Sequence, residues 1–111
     1  MVILLMAIGT LFGQEIPGTW TGKLSTPNGA ITVNFNISAT DNGYTSTLDS
    51  PDQNAYGIPV DSTFYKKPEL IIKVTNLGIE FVGTLEEDDT VKGKFNQMGQ
   101  TYDLNLVRKV E

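Results

Sequence analysis

The chain has 111 residues, of which 40% are hydrophobic and 19% charged, a balance that fits one globular domain and excludes a disordered chain or two separate cores. Its net charge of -5 opposes nucleic-acid binding, which needs a clustered positive surface; only Lys66-Lys67, Lys92 with Lys94, and Arg108-Lys109 bring cations together. Cysteine is absent and so is histidine, which removes disulfides, thiolate and imidazole metal ligands, a thiol nucleophile and the usual base near neutral pH.

The first twelve residues read MVILLMAIGTLF. This apolar run is too short to cross a bilayer core of roughly 30 Å as a helix and suits the apolar stretch of an export signal. Gly13 supplies a small residue ahead of a cleavage point, although no Lys or Arg precedes the run and Leu11 is bulky for its place. The expected division is a signal peptide or N-terminal extension over 1–14 and a single β-barrel domain over 15–111, exported and with no stable membrane span. In the alternative, the run is a strand or helix of the fold.

From Ile16 onward, short alternating segments are punctuated by Gly, Asn, Asp and Pro, the period-2 pattern of half-buried strands. A first strand covers Gly18 to Leu24. In the second, Ala30 to Ser38, Ile31, Val33, Phe35 and Ile37 alternate with Thr32, Asn34, Asn36 and Ser38. Asp41-Asn42-Gly43 tolerates positive φ and turns the chain into a third strand from Tyr44. Two less regular strands follow, about Ile58 to Tyr65 and Leu70 to Val74, separated by Lys66-Lys67-Pro68. Ile79, Phe81, Gly83 and Leu85 share one face of the next; Glu87-Asp88-Asp89 turns into Val91, Gly93 and Phe95, and Met98-Gly99-Gln100 into Tyr102, Leu104 and Leu106. Eight short strands with short connections predict an all-β fold, a small antiparallel meander that closes into a barrel or folds into a sandwich; closure would also hide the two edge strands that an open sheet leaves exposed.

The inward set so predicted is Trp20, Leu24, Ile31, Val33, Phe35, Ile37, Tyr44, Leu48, Ile58, Val60, Phe64, Leu70, Ile72, Val74, Ile79, Phe81, Leu85, Val91, Phe95, Tyr102, Leu104 and Leu106. Gly18, Gly22, Gly83 and Gly93 fall on the same parity, where a missing side chain lets the sheet bend or admits a neighbouring ring. Arg108 ends the last strand on the inward parity of Leu104 and Leu106. A buried guanidinium needs partners, so the economical arrangement stacks Arg108 over Trp20 while it donates to first-strand carbonyls, plugging one end.

Gly18-Thr19-Trp20 at the start and Arg108 at the end resemble the calycin pattern, in which lipocalin-like barrels carry G-x-W on the first strand and a basic residue on the last. A second resemblance spans nearly all of Gln14 to Lys109. The blocks GTWTGKL (18–24), FNISATDNGYTSTLDSPDQNAYGIPVDS (35–62), GIEFVGTL (78–85) and KGKFNQMGQTYDLNL (92–106) are similar to the non-catalytic N-terminal β domain of secreted bacterial serine hydrolases of the α/β-hydrolase class. That resemblance implies an exported bacterial protein, periplasmic or secreted. Its hydrolase residues do not carry over, because no G-x-S-x-G elbow and no His occur.

No catalytic residue, metal site or cofactor is expected. Asp49, Asp52 and Asp61 offer carboxylates but suit turn chemistry better, and Glu86-Glu87-Asp88-Asp89 lacks the spaced pattern of a calcium loop. The longest connection, 50–57, carries Asp52, Gln53, Asn54 and Tyr56, the expected residues for a ligand or partner at a barrel mouth. The expected function is an accessory or interaction domain of an exported α/β-hydrolase, with the catalytic domain or self-association as partner. The alternative is a lipocalin-like binder of a small apolar ligand. A dense core favours the first; a cavity above roughly 300 Å³ lined by Trp20, Phe35, Phe64, Phe81 and Phe95 favours the second.

Overall fold

In the computed structural model, residues 15–109 are described, so the expected export segment over 1–14 lies outside the described residues. Among the described residues nine strands run in chain order: β1 Gly18–Thr26, β2 Gly29–Ala39, β3 Tyr44–Ser50, β4 Ala55–Pro59, β5 Ser62–Lys66, β6 Glu69–Val74, β7 Ile79–Leu85, β8 Val91–Gln97 and β9 Gln100–Arg108. Helix among the described residues is confined to 3-10 turns at Pro51–Gln53 and Thr75–Leu77. None is long and apolar enough to cross a membrane.

Every pairing is antiparallel, and eight strands close a ring. β1 lies between β2 and β9, β2 also pairs with β3, and β3 meets β5, from which β6, β7, β8 and β9 follow as neighbours. The architecture is a closed meander barrel, compatible with a small lipocalin-like one. β4 is a continuation of β5 along the same side of β3, with Leu48 opposite Ile58 and Thr47 opposite Pro59.

The join between β4 and β5 corrects the expected single strand from Ile58 to Tyr65. Thr47 pairs with Pro59, but Tyr44 pairs with Thr63, so one extra residue has entered at Val60-Asp61. There the Val60 amide donates to Ser46 and the Asp61 amide to Lys73. Because side chains alternate with a period of two, one inserted residue moves everything after it to the opposite face. Ile58 and Val60 pack on the core, yet in β5 it is Tyr65 that does so, while Phe64 points outward and is 48% exposed.

The remaining core follows the alternation. Trp20, Phe35, Phe81, Leu70, Ile72, Leu104 and Leu106 are fully buried. Ile31, Tyr44, Ile58, Val60 and Tyr102, expected inside, are only half-buried. Ile16, ahead of the first strand, is buried completely. Phe35 and Phe81 meet across the lumen with ring centres 5.5 Å apart and planes tilted by 41°. Room for the Phe81 ring comes from Gly83 and Gly93, which pair across β7 and β8; a Cβ on either would stand 2.7 Å from the Phe81 Cζ.

Candidate functional site

Alternating strand directions divide the barrel into two ends. The chain entry, the exit of β9 and the turn at 86–90 share one end; the turns at 27–28, 51–54, 75–78 and 98–99 share the other.

The first end is sealed by Trp20 and Arg108, which pair across the seam between β1 and β9. The guanidinium carbon of Arg108 lies 4.3 Å from the centre of the indole. Nη1 donates to the Pro17 carbonyl at 2.8 Å, Nη2 to that of Glu15, and Nε to Asp89 Oδ2 at 2.6 Å. Trp20 Nε1 donates to the Ile16 carbonyl at 2.8 Å. The accepting carbonyls thus belong to the segment leading into β1, not to β1 itself as the parity argument predicts. Gly18 belongs to this end as well: a Cβ there would stand 2.9 Å from Arg108 Nη1. Asp89, at φ 66 in the β7–β8 turn, is a partner that the sequence shows only as one residue of an acidic turn. Its signal was only its proximity in topology to the last strand.

The other end is the mouth. Asn54 adopts a left-handed φ of 57 and its amide closes the 3-10 turn onto Pro51 at 2.9 Å. Asp52 accepts from the Thr32 amide at 2.6 Å, tying the loop to β2 where β3 no longer pairs with it. Gln53 Nε2 donates to Ser50 Oγ at 2.9 Å. Tyr56 stands on β4 and is 63% exposed. Of these four candidates only Gln53 borders the cavity that the mouth encloses, about 280 Å³. Its walls are Leu24, Ile31, Val33, Leu48, Ile58 and Phe95, with Ser50 and Gln97 among its polar groups. These apolar walls were legible as inward positions, but not as a pocket, since alternation says nothing about how deep the filling runs. Trp20, Phe35 and Phe81 do not line it.

The carboxylates of Asp49, Asp52 and Asp61 are engaged with backbone amides. Asp49 accepts from Gly57 at 2.8 Å and from Asn36 Nδ2 at 3.1 Å, while Asp61 accepts from Thr75. The Thr75 hydrogen bonds hold the Asp61 carboxyl below its usual 3.8, and Thr90 does the same for Asp88. Burial, with Tyr44 beside it, pushes the Tyr65 phenol up. Among the described residues no three His, Cys, Asp or Glu side chains gather as a metal site.

The side wall holds what the register slip creates. On the outer face Phe64 lies opposite Ile71, and Ile71 opposite Val82, an apolar row crossing β5, β6 and β7. The row on one side is Lys66, Glu69 and Thr84; on the other it is Ser62, Lys73 and Glu80. Lys73 and Glu80 form an ion pair at 3.8 Å. An apolar centre with a charged border is the anatomy of a protein contact.

The fold defines the class, an eight-stranded antiparallel meander barrel with one sealed end, a shallow mouth and an apolar stripe on its wall. No family model matches the chain, and neither a curated protein nor a solved structure is significantly similar to it.

Proposed function

We propose that this chain is a non-catalytic accessory and interaction domain that serves an exported α/β-hydrolase. The observation that carries the reading is the Phe64–Ile71–Val82 row. A soluble barrel gains nothing from an exposed ring, and a row flanked by charge fits contact with another protein. The filled lumen supports it too, since Phe35 and Phe81 occupy the space a carrier would use. The likeness of the blocks at 18–24, 35–62, 78–85 and 92–106 to hydrolase-preceding β domains supplies the partner class.

The test is to read the codons that follow Glu111 and the neighbouring genes, then to assay the hydrolase with and without this domain. The expected result is an enzyme with a nucleophile elbow whose assembly or activity falls when the domain is removed, and falls partly with Phe64→Thr. A gene with no such enzyme, or an enzyme indifferent to the domain, overturns the proposal.

A second reading, a binder of a small apolar molecule, is favoured by the mouth cavity. At about 280 Å³ it stands just under the roughly 300 Å³ where drug-sized sites begin, so the guest would be a single ring or a short acyl chain. Titration with toluene and with short fatty acids tests it. Saturable binding abolished by Leu48→Trp supports the reading, and absence of binding at millimolar ligand removes it.

A further inference from the structure

We infer that the outer wall of β5, β6 and β7 is a self-complementary face on which a second copy of this chain docks. The inference rests on reading the domain as an interaction module and names the occupant of its face.

The argument comes from the order of charges around the apolar row. Along β6 the outward residues are Glu69, Ile71 and Lys73, an acid and a base on opposite sides of the row. Two copies meeting face to face must be related by a two-fold axis lying in the contact plane. If that axis runs along the row, Phe64, Ile71 and Val82 each meet their own counterparts. Glu69 of each copy then faces Lys73 of the other, twice over. If the axis runs along the strands instead, Glu69 faces Glu69 and Lys73 faces Lys73, with like charges opposed at both sites. The charge pattern therefore admits one arrangement and disfavours the other.

Neighbouring residues agree with the first arrangement. Thr84 comes opposite Glu80 of the second copy and Lys66 opposite Ser62, so no like charges meet within these three strands. Lys94 and Asp103 continue the row on β8 and β9 and would meet their own kind, but they are paired with each other. In an eight-stranded ring the wall also turns by about 45° per strand, which carries β8 and β9 out of the contact. The same curvature keeps the contact small, below about 1,200 Å² in total, the size of transient complexes.

The experiment is sedimentation equilibrium on the purified chain from about 10 µM to about 1 mM, the range over which contacts of this size form. Reversible dimerisation is expected, weakened at least tenfold by Phe64→Thr and about three- to tenfold by Glu69→Lys, at unchanged melting temperature. Glu69→Lys mixed with Lys73→Glu should recover the lost affinity, because each copy then supplies the charge that the other lacks. A monomer throughout the range, or a dimer indifferent to both single variants, overturns the inference. A monomer whose association with a hydrolase still depends on Phe64 would sink the dimer and leave the accessory reading standing.

Discussion

Arg108 and Trp20 are held by three consecutive carbonyls: Glu15 and Pro17 accept from the guanidinium and Ile16 accepts from the indole nitrogen. The two side chains and the lead-in segment thus satisfy one another: the indole bond to Ile16 is buried, the guanidinium bond to Pro17 is part-buried, and that to Glu15 is exposed. The Asp89 ion pair adds less, because both side chains are about 30% exposed and water screens them.

Arg108→Ala should therefore lower stability by roughly 3 kcal/mol, from the lost cation–π contact, the lost packing of the guanidinium on the indole and the part-buried Pro17 carbonyl left without its donor. That corresponds to a fall of roughly 10–20 °C in melting temperature for a domain of this size. Arg108→Lys keeps the charge but not the planar fork, so it should recover less than half of the loss. Thermal unfolding followed by circular dichroism checks both variants. An unchanged midpoint for Arg108→Ala would remove the plug from the account of stability.

The paired glycines make a sharper distinction. A Cβ on Gly83 would meet side chains, Val91 Cγ1 at 2.6 Å and Phe81 Cζ at 2.7 Å, whereas one on Gly93 would meet the Val82 carbonyl oxygen at 2.5 Å. Side chains can be trimmed and backbone cannot. Gly83→Ala and Gly93→Ala should each cost about 2–4 kcal/mol. Adding Phe81→Leu should relieve a good part of the first and little of the second, relative to Phe81→Leu alone. Urea unfolding of the double-mutant cycles measures this coupling, and equal rescue of both would show that the rings and not the backbone limit the space.

Asp61 links the join between β4 and β5 to the turn before β7, through its amide to Lys73 and its carboxylate to Thr75. The Thr75 hydrogen bonds lower its folded pKa below 3.8. A depressed acid stabilises the fold above its unfolded pKa and loses that contribution as pH falls through the lower folded value. The wild type should accordingly melt higher than Asp61→Asn at pH 6, and the gap should close as pH drops below about 4. Because the carboxylate is exposed, the gap should be small and reduced by salt. A gap that stays constant from neutral to strongly acid solution would mean that shape, not charge, is what Asp61 supplies.

Most of the barrel was legible because its strands alternate without interruption. β2, β7, β8 and β9 each carry a dry face at every second residue, and pairing follows once short turns force neighbours together. The plug was legible in its two main members, since the parity of Arg108 left a cation to be satisfied. Its acceptors were not, because Glu15, Ile16 and Pro17 act through carbonyls, which any residue possesses. Polarity and loop length alone single out the mouth residues in the sequence. Asp52 and Asn54 turn out to shape the loop itself, the commonest use of such residues. The apolar row was hidden by a single inserted residue at Val60-Asp61, where neither Gly nor a turn motif announces a bulge.

That bulge makes opposite demands on two adjacent aromatics. Tyr65 packs edge-on against Tyr44, with ring centres 6.0 Å apart at 80°, while Phe64 looks into solvent. With the register slipped by one residue, Phe64→Thr should cost within about 0.5 kcal/mol, as surface changes do, and Tyr65→Thr should cost about 2–3 kcal/mol from the lost ring. Tyr65→Phe should be neutral or stabilising by up to about 1 kcal/mol, because the buried hydroxyl has no partner among the described residues. Uninterrupted alternation through β4 and β5 would predict the reverse ranking, with Phe64 the costly site. Chemical denaturation of the three variants separates the two registers. The same ranking decides whether Phe64 is free to serve an interface at all, since a ring needed by the core could not stand on the wall.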